Sequence, residues 1–495
     1  MRAKLKWEKS FLKDMEKEEG QEPHPHVVIL PIPAQGHVKP MLKLAELLSH
    51  SSCRVTFINT EYVHTTFLSS VDIHAFSRRF PKFRFVSIPD GLPPDSPRSG
   101  KGIFDVLFSL RDTAKAALLE VLVSLRQPPT CIIADGIMCC AAIEAGEEFG
   151  VPVLAFRTYS ACCTWTYFHL SMLLQEGEVP LQDKDMDQLV TCISGLENVL
   201  RRRDLPSICR IDRVDDPLYT FFITQALAMR RASALILNTF EELEAPILFK
   251  LGSIFSKIYT IGPLHVLSNV RIKDDNLTTL ASTKSIRWQE DKGCITWLDS
   301  HPPKSVVFVS FGSLVTFTCE QMLEFWHGLV NSGKPFLWVI RSDSIVGDDD
   351  PRTTLIDLEE LAKDKGLIVS WAPQEKVLAH SAVGAFLTHS GWNSTLESIY
   401  AGVPMICWPA WGDQQVNSRC VSDVWRVGFD MKDGCHRSIV EKMVRDLMND
   451  KREEIMKSME VLSRTAQQSV KEGGSSYFNL EKLIEYIKSI HLKKL

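Results

Sequence analysis

The sequence predicts an α/β protein made of two doubly wound, Rossmann-like domains. Two observations carry that expectation: short, wholly apolar runs alternate with stretches of helical spacing, and the pattern begins twice, near His26 and again near Ser305. The length agrees, because at roughly 100–200 residues per domain 495 residues make two to four domains.

Val27–Pro33 is a continuous apolar run, as suits a strand covered on both faces of a parallel sheet. A short turn, Ala34–His37, follows it. Val38–Leu48 then has helical spacing, with Pro40 tolerated in a first turn. Arg54–Asn59, Cys131–Ala134 and Val151–Phe156 read as further strands, the last two separated by a helix-like stretch through Glu148. In the second half Ser305–Ser310 is a strand, Phe311–Ser313 a turn and Cys319–Val330 a helix. Phe336–Ile340, Gly366–Val369, Ala385–Thr388 and Met405–Cys407 continue as short strands. The expected organisation is a disordered charged tail over residues 1–25, one domain over 26–264, a second over 265–473 and a terminal helix over 474–495. The polar stretch 265–292 that opens the second domain reads as a linker or surface loop. In open α/β sheets ligands bind beyond the carboxyl ends of the strands, so the expected site is a cleft between two facing domains.

Composition removes several classes of function. Lys+Arg is 56 and Asp+Glu 61, a formal net charge of -5, which argues against a dedicated nucleic-acid binder. Thirteen cysteines without CxxC spacing read as free thiols in a reducing compartment. The N-terminus has positive charge but no apolar segment of a secretory signal, and Met15 is a second candidate start. No long charge-free apolar window predicts a membrane span. A soluble, cytoplasmic, monomeric protein without a metal site is the expectation. Gly328–Lys334 matches part of a phosphate-binding Walker loop. Pro335 stands where Ser or Thr is needed, and the segment runs helix to strand rather than strand to helix. Hydrolase, zincin and nicotinamide fingerprints are absent from the sequence.

The informative stretch is Trp371–Gln415. His389–Ser394 is a turn leading into a helix, a ready site for phosphate oxygens, and Ser394 and Glu397 have the spacing of a capping box. His389, Asn393 and Ser394 add donors, Glu397 can accept from ribose hydroxyls, and Trp371 offers a flat ring to a base. Asp413 and Gln414, an acceptor beside an amide, can read adjacent sugar hydroxyls. Base, ribose, diphosphate and sugar together make a nucleotide sugar. In the N-terminal half, His37 follows the first strand and suits a general base, and Asp135 falls at the same sheet edge to orient it. Alone, His37 reads as a loop histidine.

The stretch with Trp371, Gln374, His389, Gly391, Trp392, Asn393, Ser394, Glu397, Asp413 and Gln414 in register strongly resembles the signature box of plant family 1 UDP-glycosyltransferases. The resemblance extends from His26 onward, through Ile261–Leu264 and Trp297–Asp299, and implies the GT-B fold. It implies that Trp371 stacks on uracil, that the Ala372 backbone bonds it, and that Gln374 and Glu397 hold the ribose. It further implies that Ser313, His389, Asn393 and Ser394 hold the diphosphate, with Gly391 in the turn among them. Trp392, Asp413 and Gln414 would meet the sugar, Gln414 favouring glucose. Gly36 and Thr158 would also serve the donor, Thr158 near an outer sugar hydroxyl, and His37 with Asp135 would be the catalytic pair. The terminal helix would cross back to the first domain.

UDP-glucose is then a co-substrate, no cofactor is implied, and the reaction is a single inverting displacement. The partner is a small lipophilic acceptor bound by the N-terminal domain, with Cys139, Phe156, Tyr159, Trp165 and Phe168 as candidate pocket residues. Gly195–Pro206 resembles a pattern in terpenoid-active members, notably iridoid glucosyltransferases, while Arg201–Arg203 within it reads as a solvated helix end. A phenolic or flavonoid acceptor is the alternative. A nucleotide-sugar binder without catalysis would lack His37 or Asp135, and both are present.

Overall fold

The computed structural model describes residues 24–68, 73–98, 100, 102–125, 127–182, 185–272, 293–341, 343–346, 365–432 and 434–493. The expected N-terminal tail, up to residue 23, and the loop from 273 to 292 lie outside them. Among the described residues one unit gathers those up to Phe168, from Thr220 to Ile272 and from Ser469 onward. The other gathers His169–Tyr219 and Gly293–Gln468.

The first unit holds a seven-stranded parallel sheet. Its strands are β1 (His26–Leu30), β2 (Arg54–Thr60), β3 (Phe83–Ile88), β4 (Cys131–Asp135), β5 (Val153–Arg157), β6 (Ala234–Leu237) and β7 (Ile258–Thr260). Their order is β3-β2-β1-β4-β5-β6-β7. β1, β4 and β5 are buried along their whole length, which is why their inner residues read as apolar runs, and β6 is buried as well. The helix Ser475–Leu492 packs on β7, with Ser476 donating to the Gly262 carbonyl and Asn479 Nδ2 donating to Thr260 Oγ1 at 2.8 Å. Residues expected in a linker instead start the helix Leu264–Arg271, whose Arg271 pairs with Glu481.

The second unit repeats the plan. Its strands are β8 (Val306–Ser310), β9 (Phe317–Thr318), β10 (Phe336–Val339), β11 (Ile345–Val346), β12 (Gly366–Val369), β13 (Val383–Thr388), β14 (Met405–Cys407) and β15 (Gly428–Asp430). The six-stranded sheet runs β12-β10-β8-β13-β14-β15, and β9 pairs with β11 separately. Phe311, Phe317, Phe325 and Trp408 fill the core beneath β8, with ring centroids 5.0–6.1 Å apart. In both sheets the winding reverses beside the first strand, between β1 and β4 and between β8 and β13. Groups on the turns that follow these strands converge at that point.

Several expectations are corrected. Ala34–His37 is not a free turn: the helix Gln35–His50 begins there with Ala34 as its N-cap, so His37 lies in the first helical turn and Pro40 in the second. The Walker-like glycine has a packing reason. A Cβ on Gly328 would lie 2.5 Å from Val440 Cβ, where the helices Cys319–Asn331 and Arg437–Arg445 meet. All thirteen cysteines are free. No helix among the described residues is long and apolar enough to cross a membrane.

Candidate functional site

In the first unit three strand ends bring His37, Asp135 and Thr158 together. β1 and β4 are neighbours in register, so the helix after β1 and the last residue of β4 meet at the reversal point. His37 Nδ1 lies 2.6 Å from Asp135 Oδ2 and 2.9 Å from Thr158 Oγ1. A carboxylate only accepts, so Nδ1 carries the proton and Nε2 is left to take one. The second oxygen of Asp135 accepts from the Ile137 amide at 3.0 Å, which fixes the carboxylate while its side chain is 1 % exposed. Thr158, expected beside the donor sugar, has its hydroxyl on the His37 ring. The Tyr159 ring meets His37 edge-on at 5.6 Å.

Two of the proposed pocket residues are core. Cys139 and Phe156 are fully buried, and Phe156 lies inside β5. Trp165 is largely buried, and Phe168 packs on Phe255. Tyr159 is the candidate that stays beside the His37 ring.

In the second unit the turns after β8 and β13 meet around His389. The ring is threaded between two glycines: a Cβ on Gly312 or Gly391 would lie 2.5 or 2.4 Å from His389 Nε2. Gly312 also needs its positive φ of 72°, and Arg341 ties that turn by donating to the Gly312 and Val315 carbonyls. Burial, with the Arg341 charge, pushes the His389 imidazole down to about 4. The ring is therefore a neutral hydrogen-bond donor at neutral pH rather than a cation. Ser313 follows Gly312 in the same turn.

The helix Trp392–Ala401 starts at Gly391 with no side-chain cap. The expected Ser394–Glu397 capping box is absent, because Ser394 is already the third helical residue. Its hydroxyl instead accepts from Gln374 Nε2 at 2.8 Å, and the same Nε2 donates to Glu397 Oε2 at 2.7 Å. The resulting Gln374–Ser394–Glu397 set lies beside Trp371 and Ala372, in the loop that follows β12. Trp392, Asn393 and Ser394 form the first turn of this helix, and a helix N-terminus is a place that suits an anion. The Trp392 indole is buried against Trp425.

Asp413 and Gln414 open the helix Gln414–Arg419. Gln414 Oε1 accepts from the Ala410 and Trp411 amides at 2.9 and 3.1 Å, leaving its amide hydrogens for a ligand. Asn417, absent from the sequence reading, donates to Asp413 Oδ2 at 2.6 Å and to the Ser390 carbonyl at 3.0 Å, and so ties Asp413 to the turn that holds His389. Its spacing of four from Asp413 on a helix was the available signal.

Arg201–Arg203 is not a solvated helix end. Arg201 grips Asp204 through Nε and Nη2 at 2.8 and 3.0 Å and reaches Asp430 at 3.2 Å. Lys432 closes on Asp204 and donates to the Gln415 carbonyl at 3.3 Å. Burial alone would raise the Asp204 carboxyl, but the Arg201 and Lys432 contacts outweigh it and hold it low. Nearby, the Ser207 hydroxyl accepts from the Gly412 amide at 2.6 Å, and the Ser207 amide donates back to the Gly412 carbonyl at 3.1 Å. This two-way bond holds the loop just before Asp413 from the His169–Tyr219 segment. Those partners lie about two hundred residues apart and carry no local signal.

Comparison with known proteins agrees with this layout. A family model described as UDP-glucoronosyl and UDP-glucosyl transferase matches residues 129–469. The chain is 46% identical over 473 residues to a 7-deoxyloganetic acid glucosyltransferase of Catharanthus roseus, covering 94% of this chain and 98% of that one. It is 45% identical over 472 residues to a myricetin 3-O-rhamnoside 1,2-glucosyltransferase of Crocosmia x crocosmiiflora, covering 94% and 96%. The crystal structure of Medicago truncatula UGT71G1 complexed with UDP-glucose superimposes with a TM-score of 0.75 at 29% identity, covering 94% of this chain and 98% of that one. A nucleotide-sugar layout on one sheet, a His–Asp pair on the other and near-full-length similarity to glucosyltransferases have one reading: this chain belongs to the UDP-glycosyltransferase family, with the GT-B fold.

Proposed function

We propose that the protein is an inverting UDP-glucose-dependent glucosyltransferase acting on a small lipophilic terpenoid acceptor of the iridoid kind. The observation that carries the mechanism is the His37–Asp135 contact at 2.6 Å beside the reversal point of the first sheet. His37 Nε2 takes the acceptor's hydroxyl proton as its oxygen bonds to the anomeric carbon, and Asp135 stabilises the imidazolium that forms. The bond to UDP breaks on the opposite face, so UDP-α-glucose gives a β-glucoside. The growing charge on UDP is met by the first-turn amides of the Trp392–Ala401 helix and by the neutral His389 N–H. Gln374 and Glu397 take the ribose, Trp371 and Ala372 the base, and Asp413 and Gln414 the glucose. Gly36 and Thr158 border His37, and both would serve the donor sugar.

The acceptor class rests on the 7-deoxyloganetic acid enzyme, and the myricetin glycoside enzyme at nearly equal identity favours a flavonoid as the second reading. A carboxyl acceptor is already ionised and would need His37 less. The reaction as proposed uses no metal, in a monomer working in the cytoplasm. The test is His37→Ala with UDP-glucose and an alcohol acceptor, read by mass spectrometry. Turnover should fall by about 10²–10⁴-fold. Unchanged turnover removes His37 from the base role, and product from UDP-galactose or UDP-glucuronate but none from UDP-glucose overturns the donor.

A further inference from the structure

The last residue of β5 is Arg157, whose side chain is buried at 3 % exposure. It forms no ion pair, and its Nε and Nη2 have no hydrogen-bond partner among the described residues. The guanidinium carbon sits 4.3 Å from the Tyr159 ring centroid and 5.0 Å from that of Tyr167. Those faces return only part of the cost of burying an unpaired ion. The side chain lies over Gly136, where any Cβ would come within 2.2 Å of Arg157 Cδ. The glycine after Asp135 therefore has a structural purpose, which is to let this cation through. The nearby carboxylate, Asp135, is already engaged by His37 and by the Ile137 amide.

Nε and Nη2 are not an arbitrary pair. They form one edge of the guanidinium, the edge whose two parallel N–H bonds match both oxygens of a carboxylate. Arg157 and His37 also lean on the same Tyr159 ring. We propose that Arg157 binds a carboxylate carried by the acceptor, so that the natural acceptor is a hydroxy acid glucosylated on its hydroxyl. Its carboxylate sits in the Arg157 fork while its hydroxyl oxygen, giving its proton to His37, forms the bond to the anomeric carbon and UDP leaves with the bonding electrons. The carboxylate is an anchor and not the nucleophile. This rests on the glucosyltransferase reading and on His37 as base.

The experiment compares kcat/KM for 7-deoxyloganetic acid and for its methyl ester in wild type, Arg157→Gln and Arg157→Lys. Two bonds to a charged partner predict a wild-type preference for the acid of about 10- to 100-fold. Arg157→Gln should bring the ratio to near unity, and Arg157→Lys, a point charge without the fork, should fall between. The product should be a glucoside stable to mild alkali. A wild type that uses the ester as well as the acid overturns the proposal, as does a preference retained in Arg157→Gln or an alkali-labile glucose ester. If Arg157→Gln fails to fold, the wild-type ratio and the product's stability still decide. Product from neither compound, nor from a simple phenol, overturns the glucosyltransferase reading itself and this proposal with it.

Discussion

Gly391→Ala isolates the seat of His389. Gly391 has φ −60° and ψ 140°, which any L-residue adopts, so alanine brings no backbone strain. Its methyl carbon would stand 2.4 Å from His389 Nε2, where ordinary contact begins near 3.4 Å. The ring must move by about 1 Å, enough to take a hydrogen bond out of good geometry. A hydrogen bond to a charged partner contributes about 1.5–3 kcal/mol, so UDP should bind about 10- to 100-fold more weakly. Folding stability should fall by about 1–3 kcal/mol from overpacking, a shift that thermal unfolding reads separately. Calorimetric titration of UDP into wild type, Gly391→Ala, His389→Ala and the double variant closes a cycle. With the ring gone the new methyl has nothing to displace, so the double variant should bind UDP no more weakly than His389→Ala. Binding within about twofold of wild type in Gly391→Ala, or additive losses in the double variant, would refute the reasoning. Additivity would mean that the methyl meets the diphosphate directly.

Asp135→Asn keeps the shape but removes the charge that stabilises the His37 imidazolium, so kcat should drop by about 10²–10⁴-fold with UDP affinity retained, and a loss under threefold would sink the pairing role. Ser207→Ala strips the acceptor from the Gly412 amide and should raise KM for UDP-glucose by about 5- to 10-fold while changing kcat less; steady-state kinetics with an unmoved KM would show that the loop does not need this bond. His26 lies buried against Thr56, and burial together with Arg54 and Arg84 pushes its imidazole down to about 3 from an ordinary 6.5. The unfolded chain then binds a proton that the folded chain refuses. Stability from this group is full above pH 6.5 and drains as pH falls toward 3, so His26→Gln should flatten the acid side of the Tm–pH profile, and an identical slope would contradict it.

The parts of the fold that were legible in the sequence share one physical property. β1, β4, β8 and β13 are buried along their whole length, so apart from His26 and Asp135 at strand ends their residues are apolar or small and the run stands out against its polar turns. Edge and terminal strands do not obey that rule. β3 exposes Arg84 and Ser87, β15 ends on Asp430 and β7 is only 3 residues long, so these edge strands did not announce themselves, and β6, buried inside the sheet, is only 4 residues long. The turn His389–Ser394 was legible because a glycine-containing start to a helix is local chemistry. The capping box was misread for the same local reason: Ser394 and Glu397 have its spacing, but Gln374, twenty residues away, claims both.

What no local pattern could show is which unit the His169–Tyr219 segment serves. It precedes β6 in the chain, yet it groups with the second sheet, and the reason is electrostatic. Asp204 is fully buried, and a buried carboxylate is tolerable only when cations close on it. Arg201 comes from its own turn, but Lys432 and Arg419 belong to the second unit's sheet end and its helix, and Arg419 also bonds the Val199 carbonyl at 2.8 Å. Moving the segment away would part the buried Asp204 from Lys432 and Arg419 together, so the buried charge ties the segment to the second unit. Lys432 passes that constraint to the Gln415 carbonyl, and Ser207 passes it to Gly412, on either side of Asp413 and Gln414. Asp413 and Gln414 are thus held by a stretch of sequence that, by order alone, belongs to the first half of the chain. Substitutions in 201–207 should therefore be read first in KM for UDP-glucose and only second in the choice of acceptor.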